Sequence, residues 1–393
     1  MKEDFFKYQA QTTPHPLAME ISHANGSYIY DTNQKAYLDF VAGVSATPLG
    51  HNHPKVIKAI KKQIDKYLHV MVYGEYIQKP AVELTKLLST NLPNPLETTY
   101  LTNSGTEAIE GALKLAKRAT GRSEIIAANN AYHGSTMGSM SVMGFEDRKR
   151  AYRPLIPDVR FINFNNEDDL KQITNKTACV ILETIQGGAG FIEPKNDYLK
   201  KVRSQCDKAG ALLILDEIQP GIGRTGKLFG FEYYHCIPDI LVTGKGLGGG
   251  MPIGAFTASK QLMDLLQDNP KLGHITTFGG HPVIAASALA TLTEIIESDL
   301  ISQTLEKEQL FRKLLVHPHI SEIRGKGLML ALIMTSETVA NQLILSCKEE
   351  GLILFWLLFE KKAVRITPPL TISNEEIIEG CSIIIHILNS IQD

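Results

Sequence analysis

The feature that most constrains this chain is a series of short, mainly apolar runs that stop abruptly at polar residues. Leu212-Leu213-Ile214-Leu215 runs into Asp216-Glu217, and Ala178–Leu182 runs into Glu183. Glu124–Ala128 ends at Asn129-Asn130, and Ile240–Thr243 ends at Gly244-Lys245. Runs of this length, apolar without alternation, suit strands of a sheet covered on both faces. Helical patterns separate them. In the stretch from Glu107 to Ala119, Ile109, Leu113 and Ala116 fall on one face, and Tyr198–Ala209 shows the same periodicity. Thr99–Thr102 precedes the first of these helices as a further strand. Strand and helix in alternation predict an α/β fold with a mostly parallel central sheet. In such sheets ligands bind beyond the carboxyl ends of the strands. Ser104, Tyr132, Glu183, Asp216 and Lys245, far apart in sequence, are therefore expected to converge.

The last third reads differently. Thr291–Leu315 reads as one long helix, and Gly327–Met334 and Ala363–Thr367 as strands. Ser373-Asn374-Glu375-Glu376 has capping-box spacing and starts a final amphipathic helix. Near the other end, Tyr28–Phe40 reads as a hairpin turning at Asp31-Thr32-Asn33. With 393 residues the chain is long enough for two domains. The expected division is residues 1–50 and 286–393 as a small α/β domain built from both chain ends, and residues 51–285 as a large domain.

Several function classes are excluded early. A net charge of -2 gives no basic excess for nucleic acid. The apolar run from Leu352 to Phe359 is too short to span a bilayer. The polar start MKEDFFKYQAQTTPHP does not resemble a signal peptide, so a cytoplasmic location is expected. The five cysteines include no C-x-x-C pair and read as reduced structural residues. His51 and His53, and His317 and His319, have no neighbouring cluster of carboxylates or cysteines, so no metal is expected.

Four segments carry candidate chemistry. Asn103-Ser104-Gly105-Thr106-Glu107 lies between a strand and a helix. Its free N–H groups, hydroxyls and helix dipole suit a phosphate, although an ordinary capped helix uses the same residues. Asp216 follows a buried strand, where a carboxylate is costly without a cation such as a protonated pyridine nitrogen. A plain cap at the strand end is the alternative. In Thr243-Gly244-Lys245-Gly246, glycines flank a lysine and let a ligand approach closely. A lysine at a strand end in a partly buried site can have a lowered pKa, and such an amine forms Schiff bases readily. A flexible surface loop would read the same way. It is not a nucleotide P-loop, because no Ser or Thr follows the lysine. Tyr132, in Tyr132-His133-Gly134, is placed to stack on a flat cofactor or simply to fill space.

Taken in order, these segments resemble the class III aminotransferases of the pyridoxal phosphate (PLP) fold type I, the group of ornithine, acetylornithine and 4-aminobutyrate aminotransferases. The resemblance covers nearly the whole chain. It runs from Tyr37-Leu38-Asp39-Phe40 and Gly50-His51-Asn52-His53-Pro54 through Thr102–Ala108 to Asp216-Glu217-Ile218-Gln219. Gly221-Ile222-Gly223-Arg224-Thr225-Gly226, Lys245–Gly254, Thr277–Pro282 and Arg365–Leu370 complete it. It implies a PLP aminotransferase that moves a terminal amino group to a 2-oxo acid by a ping-pong mechanism. Lys245 would carry the cofactor and move the substrate proton, and Asp216 would hold the ring nitrogen. Ser104, Gly105 and Thr106 would hold the phosphate, Tyr132 would cover the ring, and Gln219 would approach its phenolic oxygen. Glu183 joins the cofactor-binding set. Thr276 and Thr277 would reach the phosphate of a neighbouring subunit, which implies a homodimer with shared sites. Arg365 would bind a substrate carboxylate. An aminomutase or a decarboxylase on the same fold is the other enzyme reading.

Two positions depart from the pattern. Ornithine-type members usually carry Arg where this chain has Ser135, and Glu where it has Gly188. The missing Arg removes a carboxylate clamp, for which Arg148, Arg150 or Arg153 are possible substitutes. The missing Glu leaves Arg365 permanently available. The resemblance favours 2-oxoglutarate as acceptor, with pyruvate as the alternative. It leaves open ornithine, an N-acylated ornithine or lysine, 4-aminobutyrate or a simple diamine as donor.

Overall fold

The computed structural model describes residues 1–71 and 74–391. Residues 72–73 and 392–393, the latter closing the expected C-terminal domain, lie outside the described residues. Near the N-terminus, β1 (Ile21–Asn25), β2 (Tyr28–Asp31) and β3 (Ala36–Asp39) form an antiparallel meander. The expected hairpin is there, and Asp31 Oδ1 accepts from the N–H groups of Asn33 and Lys35 to close its turn.

Seven strands follow in the central sheet: β4 (Thr98–Thr102), β5 (Glu124–Ala128), β6 (Val159–Ile162), β7 (Thr177–Glu183), β8 (Leu212–Asp216), β9 (Ile240–Gly244) and β10 (Gly254–Ala258). Their order is β4-β10-β9-β8-β7-β5-β6. All neighbours are parallel except β10, which runs antiparallel to both β4 and β9. Side chains of successive residues leave opposite faces of a strand. Val180, Leu182, Leu213 and Leu215 accordingly join one apolar cluster, while Cys179, Ile181 and Ile214 join another. Both faces are thus covered, which is why these strands are apolar throughout. Helix α1 (Gly105–Thr120) covers the second face with Ile109, Ala112, Leu113 and Ala116. Helix α2 (Tyr198–Ala209) covers the first with Leu199, Val202 and Cys206.

The C-terminal part differs from expectation in two places. Residues 291–315 are not one helix. Helix α3 (Pro282–Glu297) ends at Ser298, which is extended at φ -106° and ψ 171°, and α4 (Leu300–Leu314) begins after Asp299. Ser and Asp compete locally for the backbone and favour such breaks, whereas the apolar periodicity runs on across the junction. Residues 327–334 are not one strand either. They contain the turn of a hairpin between β11 (Ile320–Lys326) and β12 (Met329–Met334). Gly327 sits in that turn at φ +62°, where a Cβ would meet the Thr225 carbonyl carbon at 2.6 Å. Strand β11 is mostly polar and half-exposed, so its sequence carries no apolar run.

Strands β13 (Leu352–Ile353), β14 (Phe355–Trp356) and β15 (Ala363–Ile366) complete the fold. β13 pairs in parallel with β3, so the two ends of the chain share one sheet. β14 and β12 both flank β15. The final helix, α5 (Asn374–Ser390), has the expected capping box: Glu376 N–H donates to Ser373 Oγ at 3.1 Å and Ser373 N–H donates to Glu376 Oε2 at 2.8 Å. All five cysteines are free and buried, and burial pushes the Cys179 thiol up to about 12. No helix among the described residues is long and apolar enough to cross a membrane.

Candidate active site

A cavity of about 450 Å³ opens beyond the carboxyl ends of the central strands. Its lining includes Gly105, Thr106, Tyr132, Ser135, Glu183, Gly188, Asp216, Gln219, Lys245 and Arg365. Residues spread over 261 positions of sequence thus meet at one place: most sit at or beyond the ends of central strands that the sheet aligns, and Arg365 reaches the cavity from β15 of the C-terminal sheet.

The sheet register sets the charged groups side by side. Glu183 ends β7 directly opposite Asp216 at the end of β8, and Asp216 lies opposite Val242 of β9, three residues before Lys245. Both carboxylates are buried. His133 Nδ1 lies 2.8 Å from Asp216 Oδ2, and the Ile218 N–H donates to Asp216 Oδ1 at 2.9 Å. Glu183 accepts from the Gly187 N–H at 2.9 Å and the Tyr132 N–H at 3.1 Å. Burial pushes its carboxyl up to about 7, partly offset by His133. Lys245 is half-buried, with its backbone held at φ +42°. Burial first, and Arg365 second, bring its ammonium down to about 8. A neutral amine is therefore accessible near neutral pH, as a Schiff-base former requires.

One end of the cavity is built on the N-terminus of α1. Glu107 N–H donates to Ser104 Oγ at 3.3 Å, so Ser104 caps the helix and does not line the cavity. Thr106 Oγ1 lies 2.7 Å from Ser139 Oγ and 2.8 Å from Thr136 Oγ1. Gly134 packs against this cluster at φ +131°, and a Cβ there would stand 2.3 Å from Thr106 Oγ1. Thr276 and Thr277 lie outside the cavity; Thr276 Oγ1 accepts from the Gly279 N–H at 2.8 Å, and Thr277 is exposed.

Arg365 comes from β15. It is buried, its guanidinium carbon sits 5.4 Å from the centre of the Phe191 ring, and its Nε and Nη1 have no hydrogen-bond partner among the described residues. Burial lowers its pKa to about 10, still leaving it cationic at neutral pH. The Gln219 Nε2 atom is likewise buried without a partner. Such orphaned donors facing a cavity call for a polar ligand. A flat ring bearing a basic nitrogen, a phenolic oxygen and a phosphate fits this set: a carboxylate at Asp216, an amide at Gln219, and N–H groups and a hydroxyl at Gly105 and Thr106.

Sequence reasoning missed five contributors. His133 was legible as the neighbour of Tyr132, but its pairing with Asp216 crosses 83 residues. Phe355, Trp356 and Leu358 form an apolar wall and carry no motif. Val44, also in the lining, belongs to a left-handed turn: Ala42, Gly43, Val44 and Ser45 have φ of 50°, 61°, 61° and 67°. A β-branched residue there is strained, and such strain collects at functional sites. Asp39 Oδ1 holds the turn by accepting from the Val41 and Ala42 N–H groups at 2.8 and 3.0 Å.

Residues 8–388 match the family model described as aminotransferase class-III. Acetylornithine aminotransferase of Clostridium acetobutylicum is 39% identical over 365 residues, which span 90% of this chain and 92% of that protein. The LysW-aminoadipate semialdehyde/glutamate semialdehyde transaminase of Sulfurisphaera tokodaii is 37% identical, over 80% of this chain and 81% of the relative. Among solved structures, the ornithine aminotransferase of Toxoplasma gondii with PLP partially occupying its active site superposes with a TM-score of 0.91. It is 30% identical, covering 99% of this chain and 94% of that one.

Proposed function

The chain belongs to the class-III aminotransferases and works with pyridoxal phosphate; on that premise we propose that Lys245 carries the cofactor in an ω-aminotransferase acting on amino acids of the ornithine and acetylornithine kind. The observation that carries this reading is Lys245 itself, a lysine with a lowered pKa at a strand end, in one cavity with buried Asp216. The acceptor is a 2-oxo acid, with 2-oxoglutarate and pyruvate the candidates, and the two half-reactions alternate by a ping-pong mechanism.

When bound, pyridoxal phosphate supplies an electron sink for the carbon that gains or loses the amino group. The chain's own residues do the rest. Asp216, braced by His133, would keep the ring nitrogen protonated. Gly105 and Thr106 at the N-terminus of α1 would hold the phosphate, with Ser104 fixing that turn. Tyr132 would cover one ring face, Gln219 would meet the phenolic oxygen, and Glu183 would fix the Tyr132 backbone. The Lys245 amine would take the proton from the substrate carbon and return it on the other side of the transfer. Arg365 would receive a substrate carboxylate, a pairing to which its planar fork is suited. The exposed Thr277, with Thr276, would serve the phosphate site of a second copy, so the working unit would be a homodimer.

The test is single-turnover absorbance of the purified holoenzyme mixed in turn with ornithine, acetylornithine and 4-aminobutyrate. Loss of the visible cofactor band, restored by a 2-oxo acid, identifies the donor. A band that no donor bleaches would reject aminotransfer by this enzyme from that class of amines.

A further inference from the structure

We propose that the acceptor of this enzyme carries a single carboxylate and a short or apolar chain, as pyruvate does, and that Gly188, Phe359 and Ser135 set this preference. The inference rests on the aminotransferase reading of the same cavity and narrows its acceptor.

Arg365 is the one guanidinium that lines the cavity among the described residues. The wall next to it is apolar. Phe355 is the cross-strand partner of Arg365, so the two side chains leave the same face of the sheet. Trp356 follows, with its polar Nε1 donating to Asn341 Oδ1 at 2.6 Å, and Leu358 and Val44 extend the surface. A second carboxylate lying against this wall, where Phe355 and Leu358 are 40% and 37% exposed, would meet neither a cation nor a hydrogen-bond donor and would displace water from apolar side chains for no polar contact in return.

Position 188 cannot supply a charge to balance Arg365. A Cβ at Gly188 would stand 2.7 Å from both Cδ2 and Cε2 of Phe359. Phe359 is fixed there: its N–H donates to the Gly188 carbonyl at 2.9 Å, and its ring stacks on Phe145 with centroids 4.6 Å apart. Position 188 therefore gives Arg365 no carboxylate, and its unpartnered Nε and Nη1 stay available to a substrate carboxylate in either half-reaction.

Position 135 offers no second clamp. Ser135 Oγ lies 3.2 Å from Tyr132 Oη, so only neutral hydroxyls face the ligand there. The arginines nearby in sequence do not line the cavity, although Arg148 lies just behind its wall, Nη2 donating to the Leu358 carbonyl at 3.5 Å. Arg153 makes a two-pronged pair with Glu146, Arg150 lies 3.8 Å from Asp147, and the Arg148 guanidinium sits over the Phe359 ring at 5.8 Å. A dicarboxylate such as 2-oxoglutarate would find one clamp and one apolar wall. Pyruvate would find its carboxylate clamped and its methyl group on that wall.

The test uses the holoenzyme converted to its amine form by its best donor, freed of that donor, and then mixed with pyruvate or 2-oxoglutarate. The rate at which the visible band returns is read for each acceptor. The expected result is a second-order rate constant at least about tenfold higher for pyruvate, the difference between a neutral and a charged hydrogen bond. Ser135→Arg should then raise the 2-oxoglutarate constant and narrow or reverse the ratio. Equal or faster return with 2-oxoglutarate in the unaltered enzyme would overturn the proposal, whatever the variant does. Return with neither acceptor would instead reject the aminotransferase reading, and the acceptor proposal with it.

Discussion

His133 Nδ1 lies 2.8 Å from Asp216 Oδ2, and both side chains are buried. The contact ties the loop after β5 to the end of β8 and leaves Asp216 with an imidazole on one oxygen and a backbone N–H on the other. Replacing the imidazole with a ring that cannot donate, as in His133→Phe, removes a hydrogen bond to a charged group worth roughly 1.5–3 kcal/mol. Cofactor affinity is expected to fall by about ten- to a hundredfold, measured by titrating the apoenzyme with pyridoxal phosphate. Unchanged affinity would mean that Asp216 needs no such brace.

Lys245→Ala is expected to abolish the lysine adduct that borohydride reduction traps and to slow turnover by several orders of magnitude. Mass spectrometry of the reduced protein reads the adduct directly. A cofactor trapped on a lysine other than Lys245 in the unaltered enzyme would reassign the site.

Glu183 carries a pH signature. Burial raises its folded-state pKa from 4.5 to about 7. A raised pKa means that the folded protein holds a proton the unfolded chain has released, so its stabilising effect is full below about pH 4.5 and declines as pH rises through 7. Glu183→Gln removes that titration. The melting temperature of the variant relative to the unaltered protein should therefore rise between about pH 5 and pH 8. A difference that stays flat with pH would show that Glu183 titrates normally.

Arg365→Lys keeps a positive charge but loses the planar fork. The KM for carboxylate substrates is expected to increase by roughly tenfold or more, with a smaller change in kcat. An unchanged KM for every acceptor would place the carboxylate elsewhere.

Val44→Gly tests the left-handed turn. Removing a β-branched side chain at φ +61° relieves backbone strain of about 1–2 kcal/mol, against which glycine's extra freedom in the unfolded chain must be set. A modest gain in stability with weaker cofactor binding is expected, read by thermal unfolding and by titration. A loss of stability would show that the side chain's packing outweighs the strain.

The sequence by itself determined the central layer and its chemistry. Leu212–Leu215 and Ala178–Leu182 are apolar because both faces of the sheet are covered, and a lysine or carboxylate just past such a strand is legible without coordinates. Lys245, Asp216, Glu183, Gly105 and Thr106 stood out from their places at strand ends, Arg365 was named from the family resemblance, and all line one cavity. What only the tertiary structure decided lies in contacts between distant segments. The break at Ser298, the polar strand β11 and the left-handed turn at Ala42–Ser45 depend on what packs against them, which no local period records. The Phe359 ring pressed on Gly188 is the clearest case. A glycine and a phenylalanine 171 positions apart carry no signal in either neighbourhood, yet their contact removes the space for a side chain at position 188, on the cavity lining.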